Sequence, residues 1–107
     1  MTDTSPVEPT PIAIDRASGA LRLAERTITL TGTELRLLSL LIERLGDAVS
    51  HQEIRDYVWG ENWTGGDEAL RVAVNRLRKK FEGNQRRPQI LVSVRGIGYR
   101  LIGTRQA

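Results

Sequence analysis

Residues 67–82, DEALRVAVNRLRKKFE, and residues 94–101, VRGIGYRL, decide the reading of this 107-residue chain. In the first stretch Leu70, Val74, Leu77 and Phe81 recur at steps of four, three and four. That spacing lays one narrow apolar stripe along a helix. The opposite side of the same helix carries Glu68, Val72, Asn75, Arg76 and Lys79, with Arg71 and Arg78 on one flank and Lys80 on the other. In the second stretch Gly96 and Gly98 flank Ile97 where the chain must reverse, leaving Arg95 at the tip of a hairpin.

Charge is divided along the chain in the same place. Residues 1–70 hold 6 Lys/Arg and 12 Asp/Glu, whereas residues 71–107 hold 10 Lys/Arg and 1 Asp/Glu. The overall +3 therefore hides an acidic body and a strongly basic last third. Such a concentration of one sign calls for an anionic partner, and nucleic acid is the leading class.

Outward from these stretches, Ile90 to Val94 reads as the strand entering the hairpin, and Gly83 to Pro88 as a basic loop before it. Upstream, Thr31 followed by Glu34 is a Thr-x-x-Glu capping box, and Leu35, Leu38, Leu41, Ile42 and Leu45 follow at helical spacing. A second box, Ser50 with Glu53, opens a short helix presenting Ile54, Tyr57 and Val58. Glu61 to Gly66 form a loop, and Asp67 stands at the cap position of the third helix. Before the helices, Ile12–Asp15, Ala20–Leu23 and Arg26–Leu30 read as short strands of an antiparallel sheet. Residues 1–11, with Pro6, Pro9 and Pro11, read as a disordered tail or linker, which leaves 12–104 as one domain. The fold class is α+β: an N-terminal antiparallel sheet, a three-helix core and a C-terminal β-hairpin, the winged helix-turn-helix layout.

A helix of about 16 residues is about 24 Å long, enough to lie in a major groove. On it, Arg76 can donate twice to a guanine edge, Asn75 can pair with adenine, and Val72 can meet a thymine methyl. Arg78, Lys79 and Lys80, nearer the C-terminal end, suit phosphate contacts, which give affinity without sequence information. Arg95 at a narrow tip suits a minor groove, where negative potential favours a guanidinium. The expected DNA-binding set is thus Arg71, Val72, Asn75, Arg76, Arg78, Lys79, Lys80 and Arg95.

Other chemistries find little support. Cysteine is absent and His51 is the only histidine, so no typical zinc site is expected. Ser50, His51 and Glu53 point in different directions on a helix and have no oxyanion device beside them, so no catalytic residue is assigned. Gly96-x-Gly98 lacks the third glycine and the following helix of a dinucleotide fingerprint. Tyr57, Trp59 and Phe81 are expected to build core, because aromatic content of 5% is too sparse for a base-stacking platform. No apolar run approaches the length of a membrane span, and residues 1–11 do not resemble a signal peptide. A cytoplasmic protein with no cofactor, no small-molecule ligand and no membrane partner is the expectation.

From Leu30 to Leu101 the chain resembles the effector domain of OmpR/PhoB-type response regulators. The resemblance rests on Leu30-Thr31-Gly32-Thr33-Glu34-Leu35-Arg36-Leu37-Leu38, Val49-Ser50 with Glu53, Val58-Trp59-Gly60, Arg76-Leu77-Arg78-Lys79 and Val94-Arg95-Gly96-Ile97-Gly98-Tyr99-Arg100-Leu101. It implies a bacterial two-component regulator that binds promoter DNA, commonly as two copies on direct repeats. Residues 67–82 would read the major groove and residues 95–98 the adjacent minor groove. It also implies that the loop before that helix, Glu61, Asn62, Trp63 and Thr64, touches RNA polymerase, and that the N-terminal strands belong to a four-stranded sheet. Glu68 departs from the pattern by placing a carboxylate where relatives often carry a basic or polar contact. No receiver domain is present in the sequence, which implies either an excised C-terminal domain or a stand-alone regulator. The alternative reading is a winged-helix interaction module whose basic face docks on an acidic protein or polymerase surface, with Ile97 as its apolar anchor.

Overall fold

The computed structural model describes residues 10–105. Strands β1 (Pro11–Asp15), β2 (Ala20–Leu23) and β3 (Arg26–Thr29) come first, then α1 (Gly32–Glu43), β4 (Val49–Ser50), α2 (His51–Trp59) and α3 (Glu68–Phe81). The hairpin strands β5 (Leu91–Val94) and β6 (Gly98–Leu101) follow, and β7 (Thr104–Arg105) closes the order. The expected tail, residues 1–11, lies outside the described residues except at its end. There Pro11 already belongs to β1, and the Thr10 carbonyl accepts from Thr104 N–H at 2.8 Å.

Two sheets form. The first has the order β3-β2-β1-β7, and the second β4-β6-β5. The fourth strand of the first sheet is not N-terminal: β7 arrives from the far end of the chain and pairs parallel to β1. Two residues are too few to show alternation, so only the tertiary return of the chain reveals β7. Its Arg105 then donates to the Glu43 carbonyl at 3.0 Å, satisfying the end of α1. The two-residue β4, equally short, pairs with β6 and joins the helices to the hairpin.

One core connects both sheets. Leu37, Leu38 and Leu41 of α1, Ile54 and Val58 of α2, and Leu70, Val74, Leu77 and Phe81 of α3 are buried together with Ile12, Leu21, Leu91 and Leu101. Ala73 is also buried, which widens the apolar stripe of α3. Tyr57 does not join this core. It is 47% exposed, because the buried face of the short α2 is Ile54 and Val58, and position 57 lies on its flank.

Of the three helix starts, only α1 keeps a full capping box. Glu34 N–H donates to Thr31 Oγ1 at 3.2 Å, and Thr31 N–H donates to Glu34 Oε1 at 2.9 Å. At α2, Ser50 Oγ accepts from Glu53 N–H at 3.1 Å, but the Glu53 carboxylate pairs with Arg44 at the end of α1. At α3, Asp67 makes no side-chain cap, and its carboxylate pairs with Arg55 of α2. In both cases a carboxylate that could have served a local cap is used in an ion pair that ties two helices together.

Glu34 is the one buried charged residue among those described, at 2% exposure. Burial pushes its carboxyl pKa up, but the Lys80 ammonium and the Thr31 N–H outweigh burial and hold it below the ordinary 4.5. Lys80 Nζ also donates to the Thr29 carbonyl at 3.0 Å, so the last turn of α3 is tied to both the sheet and the start of α1. A carboxylate with a depressed pKa stabilises the fold above its unfolded pKa and loses that contribution as pH falls through the folded value. Glu34→Gln is therefore expected to lower stability by about 1–3 kcal/mol at neutral pH. The gap between variant and parent should narrow as pH drops below about 4.5, as read by denaturant melts across pH.

Gly98 is required for a different reason than a left-handed backbone. A Cβ there would stand 1.9 Å from the Val49 carbonyl oxygen, because β6 and β4 approach closely at the Ser50–Gly98 pair. Gly98→Ala is expected to cost about 1–3 kcal/mol or more by forcing the strands apart. Gly96→Ala, in open space but at φ +78°, should cost about 1 kcal/mol. Denaturant midpoints of the two variants check the order.

Candidate nucleic-acid interface

The face of α3 opposite the core carries Arg71, Val72, Asn75, Arg76 and Lys79, all exposed. Burying the Leu70–Phe81 stripe leaves these positions no choice, since side chains three and four apart share a face. The side chains of Asn75, Arg76 and Lys79 make no hydrogen bond or ion pair with other described residues, so their donors are free for a ligand. Val72 is 38% exposed beside them. Glu68 and Arg71 form a solvent-exposed pair at 3.4 Å, so the carboxylate that departs from the family pattern has a cation next to it.

The other two cations of the expected set are placed differently. Arg78 is turned onto the hairpin: its Nε donates to the Leu91 carbonyl at 2.9 Å and its Nη2 to Ser93 Oγ at 3.0 Å. Its guanidinium also lies 5.8 Å from the centre of the Tyr99 ring. Lys80 is engaged by Glu34 and Thr29, as described above. A helical wheel places both at the edge of the polar face, and it cannot show which neighbour will claim an edge residue.

The hairpin tip is Arg95-Gly96-Ile97. Ile97 N–H donates to the Val94 carbonyl at 3.0 Å, and Gly96 takes φ +78°, the conformation that makes glycine the natural residue in the turn. Arg95 is exposed, and Ile97 is 49% exposed. The exit of the tip into β6 is anchored by His51 N–H donating to the Ile97 carbonyl at 3.1 Å and by edge-on packing of His51 against Tyr99. At the entry to β5 the Glu82 carboxylate accepts from the N–H groups of Gln89, Ile90 and Leu91 at 2.9, 3.0 and 2.8 Å. Composition alone counts Glu82 only as the single acid of the basic third, so nothing in the sequence marks it as the clasp between helix and hairpin.

The loop between α2 and α3 exposes Glu61, Asn62, Trp63 and Thr64. Trp63 is 40% exposed and stacks on Trp59, with ring centres 5.6 Å apart. Gly65 lies under the Trp63 ring where a Cβ would meet Cζ2 at 2.2 Å, so the indole is held against the body of the domain. Among the described residues, no helix is long and apolar enough to cross a membrane, and no group of three or more His, Asp or Glu could hold a metal ion.

Residues 25–101 match the family described as transcriptional regulatory protein, C terminal. The transcriptional regulatory protein AfsQ1 of Streptomyces coelicolor is 38% identical over 90 residues, covering 84% of this chain and 40% of that protein. The chain thus spans about two-fifths of the length of such curated relatives. Among solved structures, the DNA-binding domain of CpxR from E. coli superposes with a TM-score of 0.70 at 30% identity, covering 91% of this chain and 96% of that one. The DNA-binding domain of the response regulator AdeR, in complex with an intercistronic region, does so with a TM-score of 0.69 at 29% identity, covering 84% and 90%. The helix, hairpin and capped α1 all lie inside the matched span, and the chain belongs to the OmpR/PhoB-type family of winged-helix domains from transcriptional regulatory proteins.

Proposed function

We propose that this domain binds double-stranded DNA sequence-specifically and regulates transcription, with α3 in the major groove and the Arg95 hairpin in the neighbouring minor groove. The observation that carries this reading is the set of free donors on one face of α3. Asn75 and Arg76 stand toward the middle of the helix where base edges would lie, with Lys79 one turn further on for phosphate. Arg71, loosely paired with Glu68 at 3.4 Å and exposed, and Arg95 complete the proposed contact set, and Val72 supplies an apolar contact. Arg78 and Lys80 are left out of it because Nε and Nη2 of Arg78 and two bonds from the Lys80 ammonium hold these side chains against the fold. The relation to AdeR, whose structure holds an intercistronic region, supports the reading.

Two finer elements belong to the same proposal. The Glu61–Thr64 loop, with Trp63 braced but still 40% exposed, is a surface for RNA polymerase. Two copies would sit in tandem on direct repeats. Ile97, 49% exposed at the hairpin tip, is the observation that favours the second reading, docking on a protein surface through an apolar anchor.

Selection of bound duplexes from a random pool, followed by sequencing, separates the two readings: an enriched motif is expected, and an unenriched pool with salt-insensitive binding would exclude DNA reading. Affinity should fall with salt at a log–log slope of about −0.9 per phosphate contact. Arg76→Ala should cost about 1–3 kcal/mol and relax the preference at one position, whereas Lys79→Ala should weaken all duplexes alike and reduce the slope by about one contact. Arg95→Ala should remove minor-groove protection beside the α3 footprint while leaving the motif read by α3 unchanged. Footprinting of the parent and variant on the selected duplex checks this, and retained protection would show that the hairpin does not enter the groove.

A further inference from the structure

We infer that Arg78 is a positioning residue that locks the hairpin to α3, and not a phosphate contact. The inference rests on the DNA reading above for its consequence, though not for its geometry. Arg78 reaches three separate points of the hairpin: the Leu91 carbonyl, Ser93 Oγ and the face of the Tyr99 ring. The first two lie on β5 and the third on β6, so one side chain spans both strands. Ser93 stands two residues before Arg95, so the bracket closes just beneath the tip.

All three partners are neutral. Arg78 therefore keeps its full charge in any electrostatic inventory, which is why charge patterning counts it with the DNA-facing cations. Two of its directed donors are nonetheless committed to the hairpin, one on Nε and one on Nη2, and they fix where the guanidinium lies: to extend outward to a phosphate, the side chain would have to abandon both. Asn75, Arg76 and Lys79, on the same helix, carry no such commitment. A protein that reads two grooves at once needs its two arms held at a fixed separation, because the second contact gains from the first only if it is already in place. Glu82, the residue that caps α3, clasps the entry to β5, and Arg78 clasps its middle, so the relative placement of Arg76 and Arg95 is set by two side chains at the C-terminal end of α3.

The discriminating substitution is Arg78→Lys in the full chain. It keeps the charge, which a phosphate contact mainly needs. It loses the planar fork that serves two acceptors and stacks on a ring. Without DNA, hydrogen exchange at the Ile97 and Gly98 amides is expected to speed up by about tenfold, while Leu37, Leu38 and Leu41 in α1 exchange at the parent rate. Ser93→Ala, which removes a single acceptor, should shift the same amides in the same direction by less. With DNA, Arg78→Lys should retain the salt slope and the motif read by α3 but weaken protection at the minor groove. Parent-like exchange in both variants would overturn the inference. So would Arg78→Ala lowering the salt slope by about one phosphate contact with hairpin protection intact. Failure of the parent to bind any duplex would refute the DNA reading alone, since the exchange measurement decides the role of Arg78 without DNA.

Discussion

The burial of one stripe of α3 is the constraint on which the remaining structure depends. Leu70, Val74, Leu77 and Phe81 can enter the core only if the helix takes a single rotation about its axis. That rotation dictates which polar residues face solvent. Burial of four such side chains is worth several kcal/mol, far more than any exposed ion pair. The direction in which Arg76 and Asn75 point is therefore a by-product of packing, and it does not depend on their own interactions.

The electrostatic division of the chain follows from how its carboxylates are used. Glu34 is buried against Lys80, Asp67 pairs with Arg55, Glu53 pairs with Arg44, and Glu82 accepts backbone N–H groups at the entry to β5. Each joins two elements that are separate in sequence. The helix face that could meet DNA keeps only Glu68, with Arg71 beside it. These four acids thus act as internal ties, and the surplus of base is left on the outer face of α3 and the hairpin, where an anionic ligand can use it.

Much of this was legible in the chain. The 3.6-residue periodicity of 70–81, the Thr31–Glu34 and Ser50–Glu53 boxes and the glycine-bent hairpin located every helix and the hairpin within a residue or two, because each is a local signal. The short strands β4 and β7 were not legible. A two-residue strand has no period, and each exists only because a distant strand offers it a free edge. The caps at Ser50 and Asp67 had the right residue types, yet their full forms were displaced by long-range ion pairs that no local rule weighs. The aromatic character of Tyr57 points to the core, yet α2 is too short to bury more than the one narrow face of Ile54 and Val58.

The sequence by itself determined the α+β layout, the rotation of α3 and the existence of a basic face, since these follow from apolar spacing, glycine placement and charge along the chain. Only the tertiary structure decided which cations on that face remain free. Arg78 and Lys80 differ from Arg76 and Lys79 by one or two positions on the same helix. What separates them is the neighbour each meets in space: a hairpin carbonyl, a hydroxyl and a ring for Arg78, a buried carboxylate for Lys80, and solvent for the other two. Hydrogen-bond donors are short-ranged and directional, so their fate is settled within about 3 Å by residues far away in sequence.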